Sequence, residues 1–214
     1  MTQSLSDIFA DTPIIAILRG VTPEEVLEVG AAILDTGVPV LEVTMNSPNP
    51  IESIKRLSEK YGTSKLIGAG TVTTVQQVQD VHAAGGRIIV SPNTNVDVIA
   101  ETKRLGMFSA PGCFTPSEAF EAYYAGADIL KMFPTDIIGS TGIKAMRATL
   151  PKEALVAAVG GVNAGNMAEF VKVGTNGFGI GSAIYAPNKK LADIKSGAEE
   201  LVHSVRAALK TVTN

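Results

Sequence analysis

The amino-acid sequence predicts a single (β/α)8 TIM barrel with a short N-terminal helix, forming one domain over residues 1–214. Short apolar runs alternate with longer amphipathic stretches, and successive runs begin roughly 20 to 26 residues apart, the spacing of repeated strand–loop–helix units. No linker, low-complexity tract or shift in composition divides the chain. Eight such units in 214 residues are typical of a barrel slightly smaller than the usual ~250 residues.

The eight predicted strands are short apolar runs bounded by glycine, proline or polar residues. In chain order they are Ile14–Leu18, Val40–Val43, Leu66–Ala69, Arg87–Val90, Met107–Ala110, Ile129–Met132, Leu155–Val159 and Gly177–Ile180.

The segments between the strands carry helix start and stop signals. Thr22 and Thr115 are each followed by proline and an acidic residue, which predicts that both threonines are N-caps. Gly37 and Gly126 end these two helices. The other predicted starts are Ser47-Pro48, Thr74, Asn95 and Asn163, with a last helix from about Lys189 to Leu209 and a short first helix near Ser4–Phe9.

Several other classes of protein fit the sequence poorly. An open doubly wound nucleotide fold should carry a glycine-rich loop after its first strand, but Leu18–Thr22 holds one glycine and no GxGxxG or P-loop sequence occurs. A net charge of −3 without a basic run argues against nucleic-acid binding. The longest uncharged stretch, Val173–Asn188, is too short and too broken to span a membrane. No signal peptide is predicted, and a single cysteine, Cys113, fits a cytoplasmic location.

Polar side chains are predicted at the carboxyl ends of four strands, where barrel enzymes place their active sites. Because side chains alternate between the two faces of a strand, the residues that share the inward face can be inferred. The inferred inward sets are Ile15, Ile17 and Arg19; Val40, Glu42 and Thr44; Ile67, Ala69 and Thr71; and Ile129, Lys131 and Phe133. Four polar residues, three of them charged, are therefore expected near one rim.

Lys131 is the sharpest functional signal because apolar residues flank it on both sides. Desolvation penalises the charged form of a lysine, which lowers its pKa and frees the amine as a nucleophile toward carbonyls. The alternatives are a strand-end lysine that reaches solvent or one that pairs with a carboxylate for structure alone. Glu42 is the natural partner, either as a proton-transfer group or as a counter-ion of Lys131 or Arg19.

Arg19, Thr71 and two glycine-rich turns are candidate binding groups. The guanidinium of Arg19 suits a carboxylate or a phosphate, unless Arg19 is only a surface loop residue. The hydroxyl of Thr71 either binds a ligand or caps the next helix. The turns Gly160-Gly161 and Gly181-Ser182 follow the last two strands, where barrels frequently bind phosphate through backbone N–H groups. The alternative is that these glycines only form tight turns.

The residue types that bind transition metals are poorly placed for a metal site. His82 and His203 fall in helical segments away from the rim, and no candidate histidine base lies near Cys113, which is interpreted as a packing residue. The sequence therefore predicts no metal.

Five segments that occur in order along nearly the whole chain resemble a known family. They are Leu18–Gly20, Leu41–Thr44, Gly68–Val72, Leu130–Pro134 and Val159–Val162. Together they resemble the KDPG/KHG aldolase family, pyruvate-dependent class I aldolases built on a (β/α)8 barrel. The resemblance implies reversible cleavage of a 2-keto-3-deoxy-6-phospho sugar acid to pyruvate and glyceraldehyde 3-phosphate. It also implies a homotrimer.

The resemblance further implies a role for each candidate residue. Lys131 forms the Schiff base with C2 of the substrate, and Glu42 transfers protons during carbinolamine formation and cleavage. Thr71 and Arg19 hold the pyruvyl carboxylate. The implied phosphate-binding residues are Gly161, Gly181 and Ser182. Because the protonated imine is the electron sink, neither a metal nor an organic cofactor is expected.

Two positions resemble the branch that acts on 2-keto-3-deoxy-6-phosphogalactonate more than the phosphogluconate branch. The gluconate type usually has an arginine just after the segment that corresponds to Leu41–Thr44, where this chain reads Met45–Pro48. It usually has threonine before the double glycine, where this chain has Val159. The two substrates differ in configuration at C4, and a valine cannot hydrogen-bond a C4 hydroxyl.

Two other functions stay open from the residues alone. One is a phosphosugar epimerase or isomerase that uses Glu42 as a base without covalent chemistry. The other is a non-catalytic sensor of a phosphorylated ligand on the same barrel.

Overall fold

The computed structural model describes residues 4–212, and within them nine parallel strands form one sheet with nine helices around it. The first three and last two residues of the predicted domain lie outside the described residues. The strands are β1 (Ile14–Leu18), β2 (Val40–Thr44), β3 (Leu66–Gly70), β4 (Ile88–Val90), β5 (Phe108–Ala110), β6 (Gly112–Cys113), β7 (Leu130–Met132), β8 (Val156–Val159) and β9 (Gly177–Ile180). The helices are α1 (Leu5–Ile8), α2 (Val26–Leu34), α3 (Pro50–Tyr61), α4 (Val75–Ala83), α5 (Val96–Arg104), α6 (Pro116–Tyr124), α7 (Thr135–Arg147), α8 (Met167–Lys172) and α9 (Leu191–Lys210).

The predicted barrel is confirmed, except that the fifth strand of the ring consists of two short strands, β5 and β6. The strand order is β5-β4-β3-β2-β1-β9-β8-β7-β6, so β5 and β6 are the two ends of the sheet. Only Pro111 separates these strands along the chain, and the ring therefore closes through the chain itself. Proline has no N–H to donate to a neighbouring strand. The Pro111 carbonyl still accepts from the Lys131 N–H at 3.0 Å, which ties this junction to β7.

The barrel has an inner core inside the ring and an outer core between the ring and the helices. The inner core holds inward-facing apolar side chains of several strands, including Ile15, Val40 and Ala157. Leu5 and Phe9, on and next to the short helix α1, pack against these residues from the amino-terminal end. That end of the barrel is therefore filled with apolar side chains, whereas the polar side chains described below lie toward the carboxyl ends of the strands.

The predicted inward faces are confirmed for β1, β2 and β7 but wrong for β3. Ile67 and Ala69 belong to the outer core, and Leu66 points inward. Two inward positions of β3 are glycines, Gly68 and Gly70, so this face carries few side chains by which it could be recognised in the sequence. Thr71 nevertheless comes near the rim, because it adopts a left-handed φ of 59° immediately after the strand.

Three of the six helix starts predicted between the strands are observed. The side chains of Thr115, Thr74 and Asn95 accept from backbone N–H groups at the starts of α6, α4 and α5. Thr22 is not an N-cap, since α2 begins only at Val26 and the Glu25 carboxylate instead accepts from the Thr22 N–H.

Two other predicted helix starts are displaced, that of α3 by two residues and that of α8 by three. Helix α3 begins at Pro50 rather than at Ser47-Pro48, because Asn49 has a left-handed φ of 42°. Helix α8 begins after Asn166 rather than at Asn163, whose side chain accepts from the Gly165 N–H in the preceding loop. None of the helices in the described part of the chain has the length and apolar character needed to cross a membrane.

Candidate active site

A cavity of about 370 Å³ opens among the loops at the carboxyl ends of the strands. Five residues predicted for the site line it, which are Arg19, Val159, Gly161, Gly181 and Ser182. The other three, Lys131, Glu42 and Thr71, lie beside this cavity rather than in its wall. Among the described residues that line the cavity, Arg19 is the only one with a charged side chain. The cavity therefore has a cationic end and an otherwise neutral lining.

Lys131 lies inside the barrel near the carboxyl end of β7, between Gly112 on β6 and Ala157 on β8. Its side chain is buried with 7% of its surface exposed, and its Nζ donates to the Ser91 carbonyl at 3.1 Å. The same Nζ lies 4.6 Å from the ring centre of Phe133, whose ring borders the cavity. Burial lowers the pKa of the Lys131 amine, against the opposing effect of the Glu42 charge.

Glu42 is buried on β2 with 2% of its surface exposed. Its Oε2 has no hydrogen-bond partner among the described residues. Burial raises the pKa of this carboxyl to about 7, although the charges of Lys131 and Arg19 favour the carboxylate. The ion pairs within residues 4–212 do not include one between Glu42 and Lys131, so the two groups interact through space rather than in direct contact. A carboxyl that titrates near neutrality can both accept and donate a proton.

Gly70 makes room for the Glu42 carboxyl. A Cβ built on Gly70 would lie only 2.3 Å from Oε2 and 2.4 Å from Oε1 of Glu42, far inside van der Waals contact. The sequence signal for this packing was the pair of glycines in Gly68-Ala69-Gly70, whose role becomes visible only when β2 and β3 are placed side by side.

Arg19 and Thr71 meet at the rim, as predicted. The exposed Arg19 side chain donates from Nη1 to the Asn46 Oδ1 at 2.7 Å and from Nη2 to the Thr71 Oγ1 at 3.4 Å. Thr71 does not cap the next helix, because Thr74 accepts from the first-turn N–H of α4 instead. Asn46 was not predicted as a site residue, although its position just after β2 was the available signal.

The two glycine-rich turns form one side of the cavity. Gly160 and Gly161 have φ values of 106° and 70°, which L side chains rarely adopt. A Cβ on Gly161 would also lie 2.9 Å from the Cβ of Asp136, so space as well as backbone conformation requires glycine there. Gly181 and Ser182 follow β9, and the Gly181 carbonyl accepts from the N–H groups of two residues in the next turn.

Two further residues of the cavity wall were missed by sequence reasoning. Phe133 shares the inward face of Lys131, and this alternation was its signal. Tyr185 gave no signal, because its hydroxyl donates at 3.1 Å to Glu25, a residue 160 positions away in the sequence. Burial raises the pKa of the Tyr185 hydroxyl, so it is a hydrogen-bonding group at neutral pH.

The residues set aside from the sequence lie away from the cavity. His82 and His203 are exposed on α4 and α9. Cys113 is buried in the outer core, and burial raises the pKa of its thiol to about 11, which agrees with a packing role. Among the residues that the structure describes, no three histidine, cysteine or carboxylate side chains are grouped to hold a metal ion.

Comparisons with known proteins identify a family model, a sequence relative and a solved structure that are similar to this chain. A family model described as KDPG and KHG aldolase matches residues 5–196. The probable 2-dehydro-3-deoxy-6-phosphogalactonate aldolase of Rhizobium meliloti (strain 1021) is 44% identical over 188 residues, covering 88% of this chain and 89% of the relative. A solved structure described as native KDPGal is 40% identical, with a TM-score of 0.91 over 92% of this chain and 96% of its own.

A more distant solved structure carries a covalently captured ligand. It is a KDPG aldolase from Legionella pneumophila with pyruvate captured at low pH as a carbinolamine intermediate. That protein is 27% identical, with a TM-score of 0.80 over 96% of this chain and 98% of its own. The family model spans most of the chain, and the Rhizobium relative is 44% identical over 88% of it, so the chain belongs to the KDPG and KHG aldolase family.

Proposed function

We propose that this chain is a class I aldolase that reversibly cleaves a 2-keto-3-deoxy-6-phospho sugar acid to pyruvate and glyceraldehyde 3-phosphate. The observation that carries the proposal is the buried amine of Lys131, which lies at the edge of the cavity without a carboxylate in direct contact. Burial lowers the pKa of this amine, so a larger fraction is neutral and nucleophilic at pH 7 than for an exposed lysine. The pyruvate carbinolamine in the Legionella relative supports the same covalent chemistry.

In the proposed reaction, Lys131 attacks the C2 carbonyl carbon of the substrate, and loss of the oxygen as water leaves a protonated imine. Glu42 then takes the proton of the C4 hydroxyl. The C3–C4 bond breaks, its electron pair moves toward the imine to form an enamine, and C4 leaves as the aldehyde carbon of glyceraldehyde 3-phosphate. A proton returns to C3, and water hydrolyses the new imine to release pyruvate and restore the amine. The pKa of about 7 for Glu42 supports its use in both directions of proton transfer.

The proposed substrate lies across the rim of the barrel. Arg19 and Thr71 bind the carboxylate at C1, and Gly161, Gly181 and Ser182 bind the phosphate at C6. Arg19 and the two glycine turns border the same cavity, which supports one extended ligand rather than two separate ones. Backbone N–H groups beside glycines can approach phosphate oxygens closely without a lysine or arginine.

We also propose that the galactonate epimer is cleaved at least as well as the gluconate epimer. Val159 shares the inner face of β8 with Ala157 and borders the cavity, and its side chain offers no hydrogen bond to a C4 hydroxyl. The 44% identity to the probable phosphogalactonate aldolase supports the same choice.

Trapping with pyruvate and borohydride tests the covalent chemistry. Wild-type protein should gain one permanent pyruvyl adduct on Lys131, located by mass spectrometry of peptides. Lys131→Arg should gain none, because a guanidinium stays protonated and is not a nucleophile. The matched control is Lys60→Arg on the exposed face of α3, which should be labelled like wild type. An adduct on a different lysine would contradict the assignment.

The same trapping separates the proposed aldolase from its rivals. An epimerase or isomerase that uses only Glu42 as a base forms no imine, and a non-catalytic phospho-ligand sensor has no reason to bind pyruvate covalently. The proposal would be replaced if the wild-type protein formed no adduct and either isomerised a phosphosugar or bound a phosphorylated ligand without converting it.

The proposal includes no metal, a cytoplasmic location and a homotrimer. Activity should persist in EDTA, and restoration of lost activity by a divalent ion would contradict the Schiff-base mechanism. Light scattering should give a mass three times that of the 22.2 kDa chain, whereas a monomer would contradict the trimer.

A further inference from the structure

The guanidinium of Arg19 is held at the rim by a neutral side chain rather than by a carboxylate. Its shorter hydrogen bond, 2.7 Å from Nη1, goes to the Oδ1 of Asn46, and the contact with Thr71 is longer at 3.4 Å. Arg19 takes part in none of the ion pairs found among residues 4–212. Glu42 reaches Arg19 through space only, as the effect of Arg19 on the Glu42 pKa indicates. The positive charge is therefore oriented without being neutralised.

The backbone around Asn46 is anchored on both sides. The Met45 N–H donates to the Gly70 carbonyl at 2.8 Å, and the Ser47 N–H donates to the Thr44 carbonyl at 2.9 Å. The buried Ser47 Oγ in turn accepts from the Gly20 N–H at 2.9 Å, which joins the loop after β2 to the loop that carries Arg19. An amide on such a fixed backbone can restrict a long, flexible arginine side chain.

We propose that Asn46 is a positioning residue that aims the Arg19 guanidinium at the carboxylate of the keto acid while leaving its charge uncompensated. This inference rests on the proposed function, in which Arg19 binds that carboxylate. Asn46 acts through Arg19 and takes no part in the covalent steps. A carboxylate in place of the amide would still hold Arg19, but it would pair with the guanidinium and repel an anionic ligand.

The experiment measures how the rate of borohydride trapping depends on ligand concentration, with pyruvate and with its uncharged methyl ester as two probes. Asn46→Ala should raise the half-saturating pyruvate concentration by about three- to tenfold, the effect of losing one hydrogen bond. Asn46→Asp should raise it by about tenfold or more, because the added charge opposes the anion. Neither variant should change half-saturation by methyl pyruvate by more than about twofold, since that probe has no carboxylate for Arg19 to bind.

Asn49→Asp is the matched control, because it makes the same chemical change three residues along the same loop. Asn49 is exposed, and its side chain makes no cap hydrogen bond to α3. Half-saturation by both probes should stay at the wild-type value in this variant. The rate of trapping at saturating pyruvate should change less than the half-saturating concentration in all three variants, because Lys131 is untouched.

Three results would overturn the inference. Unchanged half-saturation by pyruvate in both Asn46 variants would show that Arg19 needs no positioning by this residue. Equal losses with pyruvate and with methyl pyruvate would assign Asn46 a general structural role. Tighter pyruvate binding in Asn46→Asp than in Asn46→Ala would contradict the need for an uncompensated charge. Failure of the proposed function is a separate outcome, visible as absence of any pyruvate adduct in the wild-type protein.

Discussion

At the scale of single residues, the site depends on two ionisable groups that are buried together but make no direct contact. Burial lowers the pKa of the Lys131 amine and raises the pKa of the Glu42 carboxyl to about 7, while the attraction between their charges opposes both shifts. A direct salt bridge would hold both groups in their charged forms. Their separation thus favours an amine that can attack a carbonyl and a carboxyl that can exchange a proton.

Glu42→Gln should slow turnover by roughly a hundredfold or more, the usual scale for a general acid–base group. The amide keeps the shape of the side chain but cannot take the proton of the C4 hydroxyl. Trapping of pyruvate on Lys131 should still be detectable, so the two measurements together separate proton transfer from imine formation. Glu59→Gln, at an exposed position of α3, is the control. Turnover close to wild type in Glu42→Gln would reduce Glu42 to a counter-ion.

Val159→Thr should shift the ratio of kcat/KM values toward the gluconate epimer. Threonine nearly matches valine in shape but supplies a hydroxyl that can hydrogen-bond a C4 hydroxyl. An apolar wall discriminates between such substrates only weakly, so the wild-type preference should amount to about 1–3 kcal/mol or less. The measurement is the ratio for both epimers in both proteins. A wild-type preference for the gluconate epimer by several orders of magnitude would refute the assignment, as would a ratio that threonine leaves unchanged.

At the scale of single elements, β3 is the strand whose composition is most closely tied to the site. Its two glycines face the barrel interior, where Gly68 lies against the backbone of β4 and Gly70 lies against the Glu42 carboxyl. A Cβ on Gly68 would come within 2.0 Å of the Ile88 carbonyl oxygen. The strand therefore contributes empty space rather than a functional group, and that space determines where a catalytic side chain of the neighbouring strand can lie.

Gly70→Ala should lower kcat by roughly a hundredfold, the scale of loss for a displacement of about 1 Å at a reacting group. The added methyl group forces the Glu42 carboxyl away from its position. The shorter side chain in the double variant Gly70→Ala, Glu42→Asp should recover part of the lost kcat, even though Glu42→Asp alone lowers it. Steady-state kinetics of the four proteins test this coupling. Strictly additive losses would indicate that the methyl group acts elsewhere.

At the scale of the whole molecule, the buried carboxyl of Glu42 lowers the free energy of unfolding of the barrel. Glu42 has no hydrogen-bond partner for Oε2 among the described residues, so its ionised form is disfavoured in the folded protein. The cost depends on pH, because the unfolded chain exposes the same carboxyl to water and returns its pKa to the ordinary value of 4.5.

The wild-type protein should lose stability relative to Glu42→Gln as pH rises from about 4.5 to about 7. The folded state has the higher pKa and binds more protons in this window, so stability falls with rising pH. The full difference is on the order of 3 kcal/mol, from a shift of about 2.5 pKa units. Urea unfolding of both proteins at pH 4.5 to 8 measures it. A stability difference that is constant across this range would show that Glu42 titrates normally.

Much of this molecule follows from local sequence. The bounds of β1 and β9 were predicted to the residue, and the caps of α4, α5 and α6 were found, because turn and capping residues act on their own neighbours. The inward direction of Lys131 and Glu42 also followed from alternation along their strands. The third strand failed the same test, since Gly68 and Gly70 on its inward face carry no side chain by which that face could be recognised.

The sequence by itself determined the barrel, the family and the presence of Lys131, Glu42 and Arg19 toward one end of the barrel. The tertiary structure decided how those residues act on one another. Contacts between Arg19 and Asn46, between Gly70 and Glu42, and between Lys131 and the Ser91 carbonyl join segments far apart in the chain. No local pattern encodes such contacts, because they arise only when the closed ring of parallel strands brings the carboxyl ends of different strands together at one end of the barrel. Burial at that end then sets the pKa values of the groups that meet there.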